Sequence, residues 1–291
     1  MAARTLAGLL EAGHEVVLVV SAPDRRRGRR AEASPSAVKA LALERGLPVS
    51  ERVADVVGSG AELGVVVAFG RLVRPEVLAA VPMVNVHFSL LPRWRGAAPV
   101  ERAILAGDPV TGVCLMALEE GLDTGPLYSC VETPVRSGET AAELRQRLGE
   151  LGLGALLELL ARWPEVGEPT PQQGEATYAA KLHPAELELD FSAGATSCER
   201  TVRVGRAWTT FRRRRLIVHR ALVVPFPGGG DGLPPPGTLV GDLVVTGDSS
   251  PPARLALRLL EVQGEGRAPQ AFGAWAIGAR PAPGERLGES R

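Results

Sequence analysis

Residues 83–118 read MVNVHFSLLPRWRGAAPVERAILAGDPVTGVCLMAL, and this stretch decides the fold. Its apolar runs at 83–89 and 111–118 predict buried strands, and residues 97–106 between them predict a helix. Strands that alternate with helices in this way indicate a parallel sheet with helices packed on its faces. We therefore predict an α/β fold for this part of the chain.

The same alternation continues on the N-terminal and C-terminal sides of this stretch. Together, these segments predict a doubly wound, mostly parallel sheet. The further helices are expected at 3–12, at 34–45 with Ser34 as N-cap, and at 139–162, and the further strands at 15–21 and 63–70.

The composition changes near the middle of the chain. Residues 164–176 are rich in Pro, Gly and Glu, which is typical of a linker. Beyond them, short strands separated by turns predict a small C-terminal β-barrel, with residues 280–291 as a frayed tail. The expected boundaries are 1–163 for the α/β domain, 164–185 for the linker and 186–291 for the β-barrel domain.

Composition excludes several classes of protein. Hydrophobic residues make up 45% of the 291 residues and charged residues 23%, which excludes wholesale disorder. Basic and acidic residues number 33 each, which excludes a basic protein that binds nucleic acid through its net charge alone. A local basic patch could still bind a nucleic acid. Cys114, Cys130 and Cys198 lack CxxC spacing, so we expect no zinc site, no disulfide and a reducing cytoplasm. We expect no membrane span and no signal peptide, since Glu11 and His14 interrupt the first apolar stretch.

Three polar side chains form the candidate catalytic site. Asn85 and His87 are two apart on a predicted strand, so both point to the same face at its carboxyl end. Asp123 follows the next predicted strand in a loop flanked by glycines, which brings it towards the same crevice. Taken singly, each residue also has a structural interpretation, as a hydrogen-bonded strand-end histidine, a turn residue or a loop cap.

Together the three side chains suit acyl transfer to an amine. A charged His87 and the Asn85 amide are able to donate hydrogen bonds to the oxygen that becomes negative when the amine attacks. Asp123 is expected to keep His87 charged and to relay the amine's proton through a water. This chemistry requires neither a metal nor a covalent enzyme intermediate.

NVHFSLLPRWRGAAP (85–99) and GLDTGP (121–126) resemble the signature of folate-dependent formyltransferases, most closely those that act on initiator methionyl-tRNA. The resemblance covers nearly the whole chain, including VVVAFGRL (65–72) and WTTFRRRRL (208–216). It implies a formyltransferase fold joined to a small β-barrel. It also implies transfer of a formyl group from 10-formyltetrahydrofolate to the free amino group of the methionine on the tRNA.

The resemblance also assigns functional positions. Asn85, His87 and Asp123 match the family's catalytic trio. The loop at 69–73 has a buried strand end as its structural alternative, and RRRGRR (25–30) a solvated loop. The residues matched to folate binding are Ser89, Leu90, Leu91, Pro92, Phe69, Gly70, Leu72 and Val73, and those matched to tRNA contact are Arg29 and Lys181.

One departure from the family concerns the start of the chain. The family's first strand and its Gly-Thr-Pro loop have no counterpart before the helix at 3–12. We therefore expect the real start to lie upstream, and the chain as it stands to be unstable or to pair its open sheet edges with other chains.

Two rival functions remain open from the sequence. One is a folate-dependent formyltransferase that acts on a small amine, such as an amino sugar or glycinamide ribonucleotide. The other is an inactive RNA-binding remnant. For the favoured function we expect a cytoplasmic monomer whose partners are initiator methionyl-tRNA and 10-formyltetrahydrofolate.

Overall fold

The structure is a computed structural model that describes residues 1–26, 32–227, 234–249 and 255–289. The chain forms two compact units, and each is described by itself. The first comprises Met1–Val100, Val110–Pro134 and Glu143–Lys181, and the second comprises Glu101–Pro109, Val135–Ala142 and Leu182–Arg291. The domain boundaries expected from the sequence stay a prediction.

Helix α2 (Ala37–Glu44) begins at a serine that caps it. Ser36, not Ser34, is the N-cap of the second helix, and its hydroxyl accepts a hydrogen bond from the Lys39 backbone N–H at 3.1 Å. The prediction of Ser34 was wrong because Ser34 pairs with Arg25 in a short antiparallel ladder. The helices up to Leu160 are α1 (Ala2–Glu11), α2 (Ala37–Glu44), α3 (Pro75–Ala80), α4 (Pro99–Ala106) and α5 (Ala141–Leu160).

The described residues of the first unit contain ten strands. Most are only two residues long, so the predicted strand at 15–21 is reduced to its last apolar pair. The strands are β1 (Val19–Val20), β2 (Arg25–Arg26), β3 (Ala33–Ser34), β4 (Val49–Ser50), β5 (Gly64–Val67), β6 (Met83–His87), β7 (Arg95–Gly96), β8 (Val110–Ala117), β9 (Leu127–Pro134) and β10 (Tyr178–Ala179).

The main sheet of this unit is mixed. Its strand order is β5-β6-β8-β9, with β5 parallel to β6 and the other two ladders antiparallel. The α/β class is confirmed, but the prediction of a mostly parallel sheet is wrong here. Because His87 lies opposite Cys114, the chain leaves β6 and enters β8 at the same end of the sheet, which reverses the strand direction. The parallel pair β1-β4 forms a separate small sheet among the described residues. The expectation about a strand upstream of α1 stays a prediction.

Helix α5 covers one face of the main sheet. Gly152 makes this close approach possible, because a Cβ at that position would lie 2.9 Å from Cγ1 of Val86 and 3.2 Å from Cγ1 of Val113. The side chains of Leu148 and Leu156 on the same helix are fully buried. Helix α5 therefore covers one face of strand β6, and the other face of β6 carries the polar side chains of the candidate site.

The second unit is built on an antiparallel sheet. The elements are α6 (Ala195–Val204), β11 (Trp208–Phe211), β12 (Arg214–Pro225), β13 (Leu239–Val240), β14 (Leu243–Val245), β15 (Leu255–Gly264), β16 (Gln270–Ala271) and α7 (Phe272–Ala279). Its strand order is β11-β12-β15-β14-β13, with β16 added to β15, and within the described residues no ladder closes it into a barrel. The predicted β-barrel is therefore met only by an open sheet, and helices α6 and α7 were not predicted.

The C-terminal stretch belongs to the core of the second unit. Leu287 is buried, and its backbone N–H donates to the Gly237 carbonyl at 2.8 Å. The prediction of a frayed tail is wrong for the residues up to Glu289, because a single leucine between polar and glycine residues anchors them. Trp275 packs in the same core, where its ring meets the Phe211 ring edge-on with ring centroids 4.9 Å apart.

Cys114 and Cys130 form a disulfide between β8 and β9. The prediction that the chain has no disulfide was wrong because residues 16 apart in sequence lie directly opposite each other in an antiparallel pair. Cys198 is free and buried, and burial raises the pKa of its thiol to about 12. Of the helices within the described ranges, none is both long and apolar enough to cross a bilayer.

Candidate active site

Strand β6 presents Asn85 and His87 on one face of the sheet. Alternation sends Val84 and Val86 to the opposite face, where both are buried. Asn85 and His87 are themselves only 8% and 5% exposed. Two polar side chains buried this deeply require hydrogen-bond partners, and those partners define the site.

Asp123 supplies the first set of partners. It lies in the loop after β8 with a left-handed backbone, φ +51°. Its Oδ1 accepts a hydrogen bond from Asn85 Nδ2 at 3.3 Å, and its Oδ2 accepts one from the Gly96 backbone N–H at 2.7 Å. The same Oδ2 lies 3.6 Å from His87 Nδ1. The structure thus brings together the three side chains that the sequence singled out.

His87 has its other ring nitrogen fixed by a backbone carbonyl. Nε2 lies 2.9 Å from the Trp94 oxygen, so Nε2 carries a proton and donates it. Burial lowers the pKa of His87, while Asp123 and the Trp94 carbonyl act in the opposite direction with smaller effect. The expectation that Asp123 keeps His87 charged is corrected: burial outweighs the carboxylate and lowers the pKa of the imidazole, whose Nδ1 faces Asp123.

The wall around these side chains comes partly from residues that sequence reasoning missed. Trp94 has a left-handed backbone, φ +63°, and its N–H donates to Thr177 Oγ1 at 2.9 Å. Gln172 hydrogen-bonds the backbone of the Asp123 loop. Trp94 and Gly96 lie inside the quoted run 85–99, but they act through a backbone carbonyl and a backbone N–H, which no side-chain pattern marks. Gln172 and Thr177 lie in the predicted linker, where no local pattern marks them.

The run Ser89–Pro92 folds into a tight turn directly after His87. Ser89 is fully buried, and its hydroxyl donates to the Arg93 carbonyl at 2.6 Å. The Arg93 N–H donates to the Leu90 carbonyl at 3.0 Å. Leu91 is buried with Cys114 and Met116, whereas Leu90 and Pro92 are half-buried. The predicted folate-binding run therefore lies beside the trio.

The loop after β5 lies at the same edge of the sheet, since β5 and β6 are parallel and end in register. Phe69 and Val73 are half-buried, Gly70 is exposed, and Leu72 is 80% exposed. The guanidinium of Arg71 lies 5.9 Å from the centre of the Phe69 ring and donates from Nη1 to the Glu51 carbonyl at 2.7 Å. This loop is therefore tied to its neighbours while Leu72 faces solvent.

An open cleft adjoins this loop, with a volume of about 490 Å³. Pro75 and Leu78 of α3 line one side, and Leu118 and Glu119 after β8 line the other. Within the described part of the chain, no cluster of three or more His, Cys, Asp or Glu side chains is arranged to hold a metal ion.

Of the two residues matched to tRNA contact, only Lys181 lies within the described residues. Arg29 lies outside the described residues, and Arg25 and Arg26 just before it are exposed. Lys181 is exposed two residues beyond β10. In the second unit, Arg212 makes a two-pronged ion pair with Glu285, at 2.6 and 2.9 Å.

The family described as "Formyl transferase" matches residues 2–160. Curated methionyl-tRNA formyltransferases are similar over most of this chain. One from Thermus thermophilus is 43% identical, covering 95% of this chain and 92% of its own length. That from Symbiobacterium thermophilum is 41% identical (98% and 96%), and that from Thiobacillus denitrificans 38% (99% and 96%).

Solved structures share the fold at low sequence identity. An N-formyltransferase from Helicobacter canadensis, in complex with folinic acid and dTDP-3-aminofucose, superposes with a TM-score of 0.67 at 15% identity, covering 90% of this chain and 95% of its own. HypX from Aquifex aeolicus, in complex with tetrahydrofolic acid, gives 0.60 at 18% identity, covering 84% and 44%. At these identities the likeness establishes the formyltransferase fold alone.

Proposed function

Because this chain belongs to the methionyl-tRNA formyltransferases of the formyl transferase family, we propose that Asn85, His87 and Asp123 catalyse its reaction. That reaction transfers a formyl group from 10-formyltetrahydrofolate to the free amino group of initiator methionyl-tRNA. The observation that supports the assignment is the buried contact of one carboxylate with both an amide and an imidazole. Perturbed, buried titratable groups at a sheet edge are typical of catalytic sites.

The reaction sets two demands on the protein. A bond forms between the methionine nitrogen and the formyl carbon, and the bond from that carbon to the folate nitrogen breaks. Negative charge builds on the formyl oxygen during the attack and needs a hydrogen-bond donor. The amine also loses one proton and the folate nitrogen gains one, so a group is needed that accepts and returns a proton.

Asn85 meets the first demand. Its amide nitrogen carries two protons and gives one to Asp123, which leaves the second for the formyl oxygen. The bond to Asp123 holds the amide in place before the reaction begins. A donor that needs no reorientation stabilises developing charge most effectively in a buried site.

His87 and Asp123 meet the second demand as a pair. The neutral imidazole accepts the amine's proton at Nδ1, the nitrogen that faces Asp123. The carboxylate then stabilises the imidazolium, and in these buried surroundings that attraction is stronger than in water. The imidazolium returns the proton to the folate nitrogen as the carbon–nitrogen bond breaks.

Binding of the two substrates draws on the flanking loops. The turn at Ser89–Pro92, the loop residues Phe69, Gly70, Leu72 and Val73, and the adjoining cleft would bind the folate. Arg29 and Lys181 would contact the tRNA, with the open sheet of the second unit as a further RNA-binding surface. Exposed Arg213, in the turn before β12, and exposed Arg214, at the start of β12, support this role because guanidinium groups match phosphate geometry. We also propose that the protein acts as a monomer in the cytoplasm.

The test is formylation of charged initiator tRNA by the purified protein, with 10-formyltetrahydrofolate as donor. The acceptors compared are methionyl-tRNA, a nucleotide-linked amino sugar and glycinamide ribonucleotide, and binding of the tRNA is measured on the same sample. Formylation of methionyl-tRNA that is lost in His87→Ala supports the proposal. Formylation of a small amine alone, or tRNA binding without formylation, contradicts it.

A further inference from the structure

Gln172 holds the loop that carries Asp123, and we propose that it is a positioning residue for the catalytic carboxylate. This inference rests on the proposed function, because it assigns Gln172 a role in the same reaction. Gln172 lies in the segment that the sequence indicated as a linker, 49 residues from Asp123. It is half-buried beside the site.

The Gln172 side chain bonds the loop backbone twice. Its Nε2 donates to the Asp123 carbonyl at 2.9 Å and to the Gly125 carbonyl at 2.8 Å. Both protons of the amide nitrogen are therefore used on one short loop. A single side chain thus bridges the Asp123–Thr124 and Gly125–Pro126 peptide groups, and this fixes the turn that aims the Asp123 carboxylate.

The other end of the same amide is fixed by Arg95. Its Nε and Nη2 donate to Gln172 Oε1 at 3.1 and 2.7 Å. Only one orientation of the amide fits these partners, because the reverse would turn the oxygen towards two carbonyl oxygens and the NH₂ group towards a guanidinium. Gln172 is therefore placed to hold carbonyl groups and an arginine at the same time.

Arg95 and Gly96 stabilise different parts of Asp123. The Gly96 N–H donates to the Asp123 carboxylate, and the Arg95 guanidinium binds the amide that holds the Asp123 backbone. Strand β7, formed by these two residues, is itself held by β10, since the Arg95 N–H donates to the Thr177 carbonyl at 2.9 Å. The segment from 170 to 179 therefore braces both the side chain and the main chain of the catalytic residue.

The backbone of Asp123 explains why a brace is needed. Its φ of +51° is a left-handed conformation that non-glycine residues adopt at a cost, and such residues persist only where surrounding contacts hold them. Gly125 is equally constrained, because a Cβ there would clash with the Ala117 carbonyl oxygen. Without the two hydrogen bonds from Gln172, the carbonyl groups of Asp123 and Gly125 lose their donors. The loop is then free to rearrange, and the Asp123 carboxylate moves with it.

The test compares Gln172→Glu and Gln172→Ala with Gln173→Ala as the matched control. The glutamate keeps an acceptor for Arg95 but has no donor for the Asp123 and Gly125 carbonyl groups, so it isolates the loop-holding contacts. Gln173 is the exposed neighbour of the same type. We expect both Gln172 variants to lose up to about 100-fold in kcat, the scale of a small misplacement of a catalytic group. We expect KM for 10-formyltetrahydrofolate to stay within about twofold.

A double-mutant cycle separates positioning from a general structural role. If Gln172 acts through Asp123, Gln172→Glu in an Asp123→Asn background causes no further loss of kcat. Additive losses, an equal fall in Gln173→Ala, or turnover in both Gln172 variants equal to that of the wild type would overturn the inference.

Backbone amide hydrogen exchange at residues 121–125 gives a readout that does not depend on turnover. Faster exchange in Gln172→Glu than in Gln173→Ala supports the brace, and equal exchange overturns it. If the wild-type protein formylates no methionyl-tRNA, the proposed function fails, while the exchange rates still decide whether Gln172 holds the loop.

Discussion

His87 and Asp123 face each other at the carboxyl end of β6, with Nδ1 of the imidazole 3.6 Å from Oδ2 of the carboxylate. The distance exceeds that of a hydrogen bond, so the pair has room to tighten when a proton arrives between the two atoms. Because the opposite ring nitrogen is bonded to the Trp94 carbonyl, that proton has only Nδ1 as its destination on His87.

Asp123→Asn should abolish most turnover while leaving the fold intact. The amide keeps the shape of the carboxylate but does not stabilise an imidazolium, and loss of such a group typically costs about 10²–10⁴-fold in rate. Single-turnover formylation measures the effect, and circular dichroism checks the fold. His87→Ala and Asn85→Ala should lose comparable activity, and the losses should not add, since the three side chains act together. Near-normal turnover in Asp123→Asn would contradict the assignment.

Acid should destabilise the protein through His87. Burial lowers the pKa of this residue in the folded protein, so as the pH falls the unfolded chain takes up the proton first. The free energy of unfolding should therefore decrease as the pH drops below about 6.5, the ordinary value for histidine, and should level off below the folded pKa. Thermal melts between pH 5 and pH 8 test this. If the melting temperature of a His87→Asn variant depends on pH as that of the wild type does, His87 is not the cause of the loss of stability in acid.

Gly112→Ala should destabilise the protein and weaken folate binding. A Cβ at this position in β8 would clash with the Val131 carbonyl oxygen and with the side chain of Leu90. Overpacking of this kind costs about 1–3 kcal/mol, and displacement of Leu90 should raise KM for 10-formyltetrahydrofolate. The matched control is Gly154→Ala on the exposed side of α5, where nothing lies within 4 Å. That change should raise the free energy of unfolding by about 0.5–1 kcal/mol.

Arg29→Ala and Lys181→Ala should weaken the reaction with methionyl-tRNA but leave the affinity for folate unchanged. Contacts to phosphate depend on salt, so the losses should shrink as ionic strength rises. Arg4→Ala is the control, since Arg4 is an exposed arginine paired with Glu150 at 2.9 Å. kcat/KM for tRNA at low and high salt provides the measurement. If the wild type and the three variants have equal kcat/KM at low salt, RRRGRR (25–30) is better interpreted as a solvated loop.

Reducing agent should lower the melting temperature through the Cys114–Cys130 disulfide. The bridge spans 16 residues, and closing a loop of that length stabilises a fold by about 3 kcal/mol. A Cys130→Ser variant should melt lower than the wild type and should not respond to reductant. In the oxidised protein, thiol reagent should detect Cys198 only after unfolding, because that thiol is buried and its pKa is raised to about 12. Three reactive thiols in the unfolded, unreduced protein would disprove the bridge.

The sequence by itself determined the α/β class, the formyltransferase family and the side chains that meet at the site. Asn85 and His87 illustrate why, since a spacing of two on an apolar strand puts both on one face wherever the strand lies in the fold. Hydrophobic periodicity reports which side chains become buried, and that information is local. It also marked the ends of buried strands, where ligand crevices form in open sheets.

Tertiary structure alone decided the direction of β8, the pairing of Cys114 with Cys130, the lowered pKa of His87 and the role of Gln172. Each depends on which distant segments of the chain come together in the fold. Hydrophobic periodicity does not give the direction of a strand such as β8. The lowered pKa of His87 results from its burial, which the sequence does not show directly. Gln172 had no local pattern at all, because its function comes from two carbonyl groups 47 and 49 residues away. Contacts between segments so far apart in sequence are determined by the folded path of the backbone.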